Sequence, residues 1–368
     1  MNDDQRRAGL RRERARASAQ FGDGKFKNPS GATPALKGPS LPVMGEYFFR
    51  RGRRTPPGPL PLERPHEAWA RPASTGLRAT WLGHSSVLLE IDGRRVLTDP
   101  VFGERASPLR IAGPKRFHPV PVAVDELPPL DAVLVSHDHF DHLCRPTIEA
   151  LARSRVPIVT ALGVGAHLES FGVDPRVITE LDWHESAEVK GLRFTATPSQ
   201  HFSGRGLTDR NDTLWASWAL AGDRRKVFFS GDTGLMREFV DIGRLYGPFD
   251  LVMLEVGAYH PSWGDIHLGP ENALVAFERL GGGTLLPVHW GTFNLALHDW
   301  DEPAETLLRL AAERGQRIVT PRIGAAFEPD HVEAPTPWWR SVVAASAKLP
   351  SALPRPALER PPAGSGHA

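Results

Sequence analysis

Val135-Ser-His-Asp-His-Phe-Asp-His-Leu143 places three histidines and two aspartates in six consecutive positions, 137 to 142, directly after the apolar run Ala132 to Val135. Imidazole and carboxylate are the preferred donors for zinc, manganese and iron, so a cluster this dense at the end of a strand points to a metal site, and to one for two metals. In an extended or turning segment His137 and His139 can face one way while Asp138 faces the other. After the bend at Phe140, Asp141 and His142 are placed to serve a second cation. The remaining ligands must come from elsewhere in the chain.

Outward from the cluster, short apolar runs recur with the lengths of strands. Arg78 to Leu82, Ser86 to Ile91 and Arg94 to Thr98 read as successive strands, with Asp92-Gly93 as a two-residue hairpin turn between the last two. Four further runs each deliver a ligand-type residue at the C-terminal end. Ala132 to Ser136 runs into His137, Leu192 to Pro198 toward His201, Val227 to Ser230 into Asp232, and Thr284 to Val288 into His289. Such ends converge when strands lie side by side, because α/β sheets build their sites at the carboxyl edge. Helices are expected over Thr147 to Ser154 and over Glu271 to Leu280, the latter opened by Gly269-Pro270. The fold class is therefore α/β.

His201 completes a first metal site with His137 and His139, and His289 a second with Asp141 and His142. Asp232 is the natural bridge, since a carboxylate has two oxygens and an imidazole normally binds one cation. Two cations roughly 3.5 to 4 Å apart can hold a shared solvent molecule as hydroxide near neutral pH. The implied reaction class is hydrolysis, and no Gly-x-Ser-x-Gly elbow offers a serine nucleophile instead.

The ligand pattern resembles the metallo-β-lactamase superfamily. Thr80-Trp-Leu-Gly-His-Ser-Ser, Leu97-Thr-Asp-Pro, Gly113-Pro-Lys-Arg, Pro198-Ser-Gln-His, Gly257-Ala-Tyr and His289-Trp-Gly-Thr-Phe narrow the resemblance to the branch of N-acyl-phosphatidylethanolamine-hydrolysing phospholipase D and its bacterial, lactonase-like relatives. The resemblance runs from about Gly76 to about Pro329. It implies a four-layer αββα sandwich with metals at one edge of two facing sheets, and phosphodiester or related ester hydrolysis. It carries the family's ligands to His137, His139, Asp141, His142, His201, Asp232 and His289 without a gap. The chain departs where Pro261 is followed by Ser262 and Trp263, since the phospholipases carry an arginine before that tryptophan and its planar fork is hard to replace in phosphate binding.

Around the ligands, Asp99 is expected to orient a ligand histidine through a hydrogen bond. His84 and His267 are the candidates, beside the ligand Asp141, for a catalytic part: proton transfer for His84, transition-state stabilisation or leaving-group protonation for His267. Arg116, Arg205 and Tyr259 are the candidate substrate contacts, on loops beside the sheet edge. His167, His184 and His298 read as surface or core residues. Trp215 and Trp218 read as sheet packing, and Cys144 as a small buried hydrophobe.

The whole chain has 368 residues, a formal net charge of +1 and a single cysteine, so composition alone argues for no nucleic-acid partner and excludes thiolate-rich zinc sites and intramolecular disulfides. No apolar stretch reaches the roughly 18 residues of a membrane span, and no secretory h-region opens the chain. Residues 1–30, rich in arginine, read as a disordered or weakly helical arm. Residues 31–75 read as a Pro/Gly-rich extension packed on the domain, 76–335 as the hydrolase domain, and 336–368 as a C-terminal segment ending in a Pro/Ala-rich tail. The expectation is a cytoplasmic metallohydrolase with two divalent ions, Zn2+ first, Mn2+ or Fe2+ as alternatives. Its partner is a small-molecule or phospholipid substrate, with peripheral membrane contact and homo-oligomerisation left open. A lactonase or sugar-phosphate hydrolase is the alternative enzyme. A nucleic-acid or partner-binding module using the arginine-rich arm is the alternative of another kind.

Overall fold

A computed structural model describes residues 3–31, 53–109, 111–263 and 265–347. It is a four-layer αββα sandwich. The first sheet starts with β3 (Leu77–Gly83), β4 (Ser86–Ile91) and β5 (Arg94–Thr98), an antiparallel meander whose β4–β5 turn is Asp92-Gly93, both residues at positive φ. That geometry is what the two-residue hairpin turn requires. β6 (Ala132–Val135), β7 (Ile158–Ala161) and β8 (Ile178–Leu181) extend the sheet in parallel, and β15 (Ala326–Phe327) closes its other edge.

The second sheet runs β14-β13-β12-β11-β10-β9, built from β9 (Ser186–Val189), β10 (Leu192–Thr197), β11 (Ser217–Ala221), β12 (Lys226–Phe229), β13 (Leu251–Glu255) and β14 (Thr284–Val288). Its β12, β13 and β14 are parallel. β3, β4, β13 and β14 are buried along their whole length, as strands with both faces covered must be. One continuous apolar core joins the two sheets. The helix Gly269–Arg279 buries Ala273, Leu274, Ala276 and Phe277 and packs on β13 and on the helix Glu302–Glu313. The helix Arg145–Ala152 buries Ile148 and Leu151 directly after the ligand loop. Trp81, Trp290 and Trp338 stack in sequence, with centroids 5.2 and 5.6 Å apart, and fasten the helix Trp339–Ala347 to the loop after β14. Trp215, Trp218 and Cys144 are buried.

The N-terminal segment takes the helical rather than the disordered form of the arm expected of it. Asp3–Ala17 is a helix and β1 (Phe21–Gly22) pairs with β2 (Lys25–Phe26). Composition alone left this open because the helix is held by charge rather than by an apolar face. Arg11 bonds Glu180 and Glu169, both at 2.7 Å, and Arg14 bonds Glu185 at 2.6 Å. Burial alone would lower the Arg11 pKa, but Glu180 and Glu169 outweigh it and raise it. Phe26 then enters the core, completely buried. Two arginines that a phosphate-binding arm would use are thus engaged within the chain.

Among the described residues no helix is long and apolar enough to cross a membrane. Residues 32–52 of the extension expected at 31–75, and the tail from 348 within 336–368, lie outside the described residues; of the former, 53–75 include the short helix His66–Trp69, which buries Trp69.

Candidate metal centre

The ends of β6, β10, β12 and β14 meet at one edge of the sandwich, joined by the β3–β4 turn carrying His84. Two four-residue groups result, each with ligand atoms within 4.8 Å of one another: His137, His139, His201 and Asp232, and His84, Asp141, His142 and His289. Asp232 Oδ2 lies between them, 3.1 Å from His289 Nε2, 3.2 Å from His142 Nε2, 3.7 Å from His201 Nε2 and 4.0 Å from His137 Nε2. That is the placement of a bridging oxygen.

Two of the imidazoles are aimed by their other nitrogen, and two by their backbone. The Asp99 carboxylate accepts from Ser136 N and Oγ at 2.7 and 2.6 Å and lies 2.6 Å from His142 Nδ1. This hydrogen bond fixes the tautomer and turns His142 Nε2 toward Asp232. Ile266 O lies 3.0 Å from His201 Nδ1 and does the same for that ring. His84 and His289 both sit at positive φ, tied by the bond from His289 N to His84 O. Asp138, as the alternation along the loop expects, faces away from the cluster and accepts from Thr213 Oγ1 and Gly204 N.

The charges are arranged for cations. Burial raises Asp232 and Asp141, but neighbouring imidazoles, His142 foremost, outweigh it and hold both well below the usual carboxylate range. Burial lowers His142 and His289, yet Asp232 above all raises the first well above its ordinary value and the second to about 10. His137 and His201 are pushed well below theirs by burial. Buried polar atoms need partners. Here Asp232 Oδ1 has no hydrogen-bond partner, and His139 Nδ1 lies 2.9 Å from His137 Nε2 and 3.2 Å from His201 Nε2. Nitrogen lone pairs converging this closely, flanked by carboxylates, fit divalent metal ions.

Two glycines permit the convergence. A Cβ on Gly234 would lie 1.6 Å from Asp265 O, so the loop after Asp232 runs backbone to backbone against the loop leading to His267. A Cβ on Gly257 would lie 2.1 Å from His289 O. Replacing Gly257 by alanine is expected to push His289 off its position, with metal affinity in that group falling at least tenfold; cobalt titration of the purified protein measures it.

His84 is drawn further into the centre than a turn-capping residue. Its Nε2 is 3.0 Å from Asp141 Oδ2, and burial together with the neighbouring His289 lowers its pKa to about 3. His267 stands outside both groups, with its ring centroid 5.0 Å from that of His201 and 5.5 Å from that of His289. It also forms a third group with Asp232 and His289, its ligand atoms again within 4.8 Å of one another. Behind it lies Glu255, fully buried, whose Oε1 is 3.3 Å from His267 Nδ1 and accepts from Leu268 N at 2.7 Å. The sequence reading missed Glu255, although a lone acid ending the apolar run Leu251 to Leu254 was a usable signal.

The candidate substrate contacts are engaged otherwise. Arg116 is buried rather than presented on a loop: its guanidinium donates to Val101 O and Gly103 O and lies over Phe293, because the Gly113-Pro-Lys-Arg segment folds inward. Burial pushes its pKa down to about 10. Arg205 donates to Asp138 O and Leu143 O and stacks on Phe140, bracing the ligand loop. Tyr259 donates to Glu302 at 2.8 Å and stacks on His298, which in turn accepts from Ala258 N. His167 lies 3.4 Å from Asp138, and His184 contacts the Tyr246 hydroxyl. Beside the ligand loop opens a groove of about 800 Å³ whose walls include Leu109, Phe140, Leu143, Phe171 and Arg205.

Residues 94–290 match the model of the beta-lactamase superfamily domain. An uncharacterized protein of Mycobacterium tuberculosis is 45% identical over 329 residues, 88% of each chain. N-acyl-phosphatidylethanolamine-hydrolyzing phospholipase D 1 of Caenorhabditis elegans is 37% identical over 255 residues, 66% of this chain and 72% of that one. Among solved structures, isothiocyanate hydrolase from Delia radicum gut bacteria superposes with a TM-score of 0.55 at 24% identity, covering 68% of this chain and 98% of that one.

Proposed function

Because the chain belongs to the metallo-β-lactamase superfamily and is a metal-dependent hydrolase, we propose that it cleaves a phosphodiester with two divalent ions, zinc in the first instance, and that its substrates are phospholipids of the N-acyl-phosphatidylethanolamine type. The observation that carries the two-metal reading is the position of Asp232 Oδ2 between two complete donor groups. When bound, paired divalent cations activate water and stabilise charge on the attacked phosphoryl group. His137, His139, His201 and Asp232 would hold one, and His84, Asp141, His142 and His289 the other, with Asp232 within reach of both groups. His267 faces this centre with Glu255 behind it, a placement suited to protonating the leaving oxygen.

The groove along Leu109, Phe140, Leu143 and Phe171 supports a lipid over a small polar lactone, since ligand sites match the apolar surface they bury. Leu109, Ile111 and Leu207, exposed on loops flanking the ligand loop, support contact with a lipid surface. The test is metal analysis of the purified protein coupled to turnover on N-acyl-phosphatidylethanolamine vesicles, water-soluble phosphodiesters and lactones. Two metals per chain with preference for the vesicles is expected. Preference for lactones, or for soluble sugar phosphates, overturns the substrate assignment and favours the alternative hydrolase.

A further inference from the structure

The arginine-rich segment does more than dock. After β2 the chain passes over the back of the first donor group, and the Asn28 side chain meets the backbone of the ligand His201 on both sides. His201 N donates to Asn28 Oδ1 at 2.9 Å, and Asn28 Nδ2 donates to His201 O at 2.8 Å. Trp215 Nε1 adds a bond to the same Oδ1 at 3.1 Å. Two residues on, Ser30 Oγ donates to Gln200 Oε1 at 2.6 Å, and Gln200 Nε2 donates to Asp265 O, next to the Ile266 carbonyl that orients the His201 ring. Asn28 is itself buried.

His201 needs such a partner. It follows β10 on an irregular loop, is buried, and its peptide groups lie outside the strand ladder. A buried backbone donor and acceptor without partners is costly, and a carboxamide presents the complementary pair. The segment is anchored on both sides of this contact. Phe26 is fully buried and donates its N–H to Asn211 O, while Lys25 bonds Asp212 at 2.5 Å.

We infer that residues 18–31 form a strap belonging to the metal centre, and that Asn28 is a positioning residue for the His137, His139 and His201 group. The two cation positions then differ in what holds them: the strap supports the first and makes no contact of this kind with His142 or His289. The inference rests on the ligand set proposed above, and its test separates the two.

The experiment is titration of the full-length apoprotein with Co2+, following the visible absorption of each equivalent, with zinc affinities obtained by competition against a chromophoric chelator. Wild-type protein is expected to take up two equivalents; failure to do so sinks the ligand reading itself. In Asn28→Ala one equivalent weakens about 10- to 100-fold, as loss of a partner behind a ligand typically does, while the other keeps its affinity. Trp215→Phe, which leaves Asn28 in place and removes the indole N–H that Asn28 Oδ1 and Ser199 O share, along with part of a buried ring, weakens the same equivalent to a smaller degree and serves if Asn28→Ala does not fold. Both variants binding two equivalents with wild-type affinity, or both equivalents weakening equally, overturns the inference.

Discussion

Replacing Asp232 by alanine is expected to leave at most one tightly held metal per chain and to lower kcat/KM by more than about 100-fold, exceeding the usual cost of losing a partner behind a ligand. The reason is geometric. One oxygen of this carboxylate stands within 4.0 Å of imidazole nitrogens from both donor groups, so on the proposed two-metal reading its removal would cost both a donor. It also strips His142 and His289 of the anion that contributes most to raising their pKa values. Metal content by plasma emission spectrometry and steady-state turnover are the two measurements. Asp232→Asn keeps the shape while losing the charge and is expected to fall between parent and alanine variant. An alanine variant holding two metals with parental turnover would remove Asp232 from the bridge.

His267→Ala is expected to behave differently: metal content unchanged, kcat lower by about 10²- to 10⁴-fold, the range for a positioned acid or base. The loss should be larger for phosphodiesters with alkoxide leaving groups than for those with nitrophenolate, which departs without a proton. Glu255→Gln keeps an oxygen for Leu268 N but replaces the buried carboxyl group near His267 Nδ1, and should reproduce part of that leaving-group dependence. Should His267→Ala instead lose a metal, the residue is a ligand, through its triad with Asp232 and His289.

The strands that carry ligands were legible in the sequence because each couples a β-branched or apolar run to an abrupt polar residue, as in Ala132 to His137 and Thr284 to His289. Their observed spans agree with that reading within a residue or two. Less legible were Ser186–Val189, an edge strand with an exposed face and little apolar content, and Asp3–Ala17, whose helix is settled by distant acids rather than by its own periodicity. The ligand histidines were visible as a pattern; their supports were not. Asn28 lies far from His201 in the chain, and nothing local marks Asn28-Pro29 as more than a turn. Arg116 and Arg205 were read as substrate contacts because loop arginines commonly are; what the sequence does not show is that both guanidinium groups also donate to backbone carbonyls around the centre, while Arg205 lines the groove beside the ligand loop.

The donors divide between the two sheets. His84 and the residues from His137 to His142 belong to the first half of the sandwich, while His201, Asp232 and His289 belong to the second. Each donor group draws on both halves, so a bound cation acts as a rivet through the seam between them. A cation bound there would stabilise the closed arrangement of the two halves, because whatever binds only the closed form stabilises it. Metal occupancy would then report on the closure of the sandwich as well as on its chemistry, because the same donors serve both.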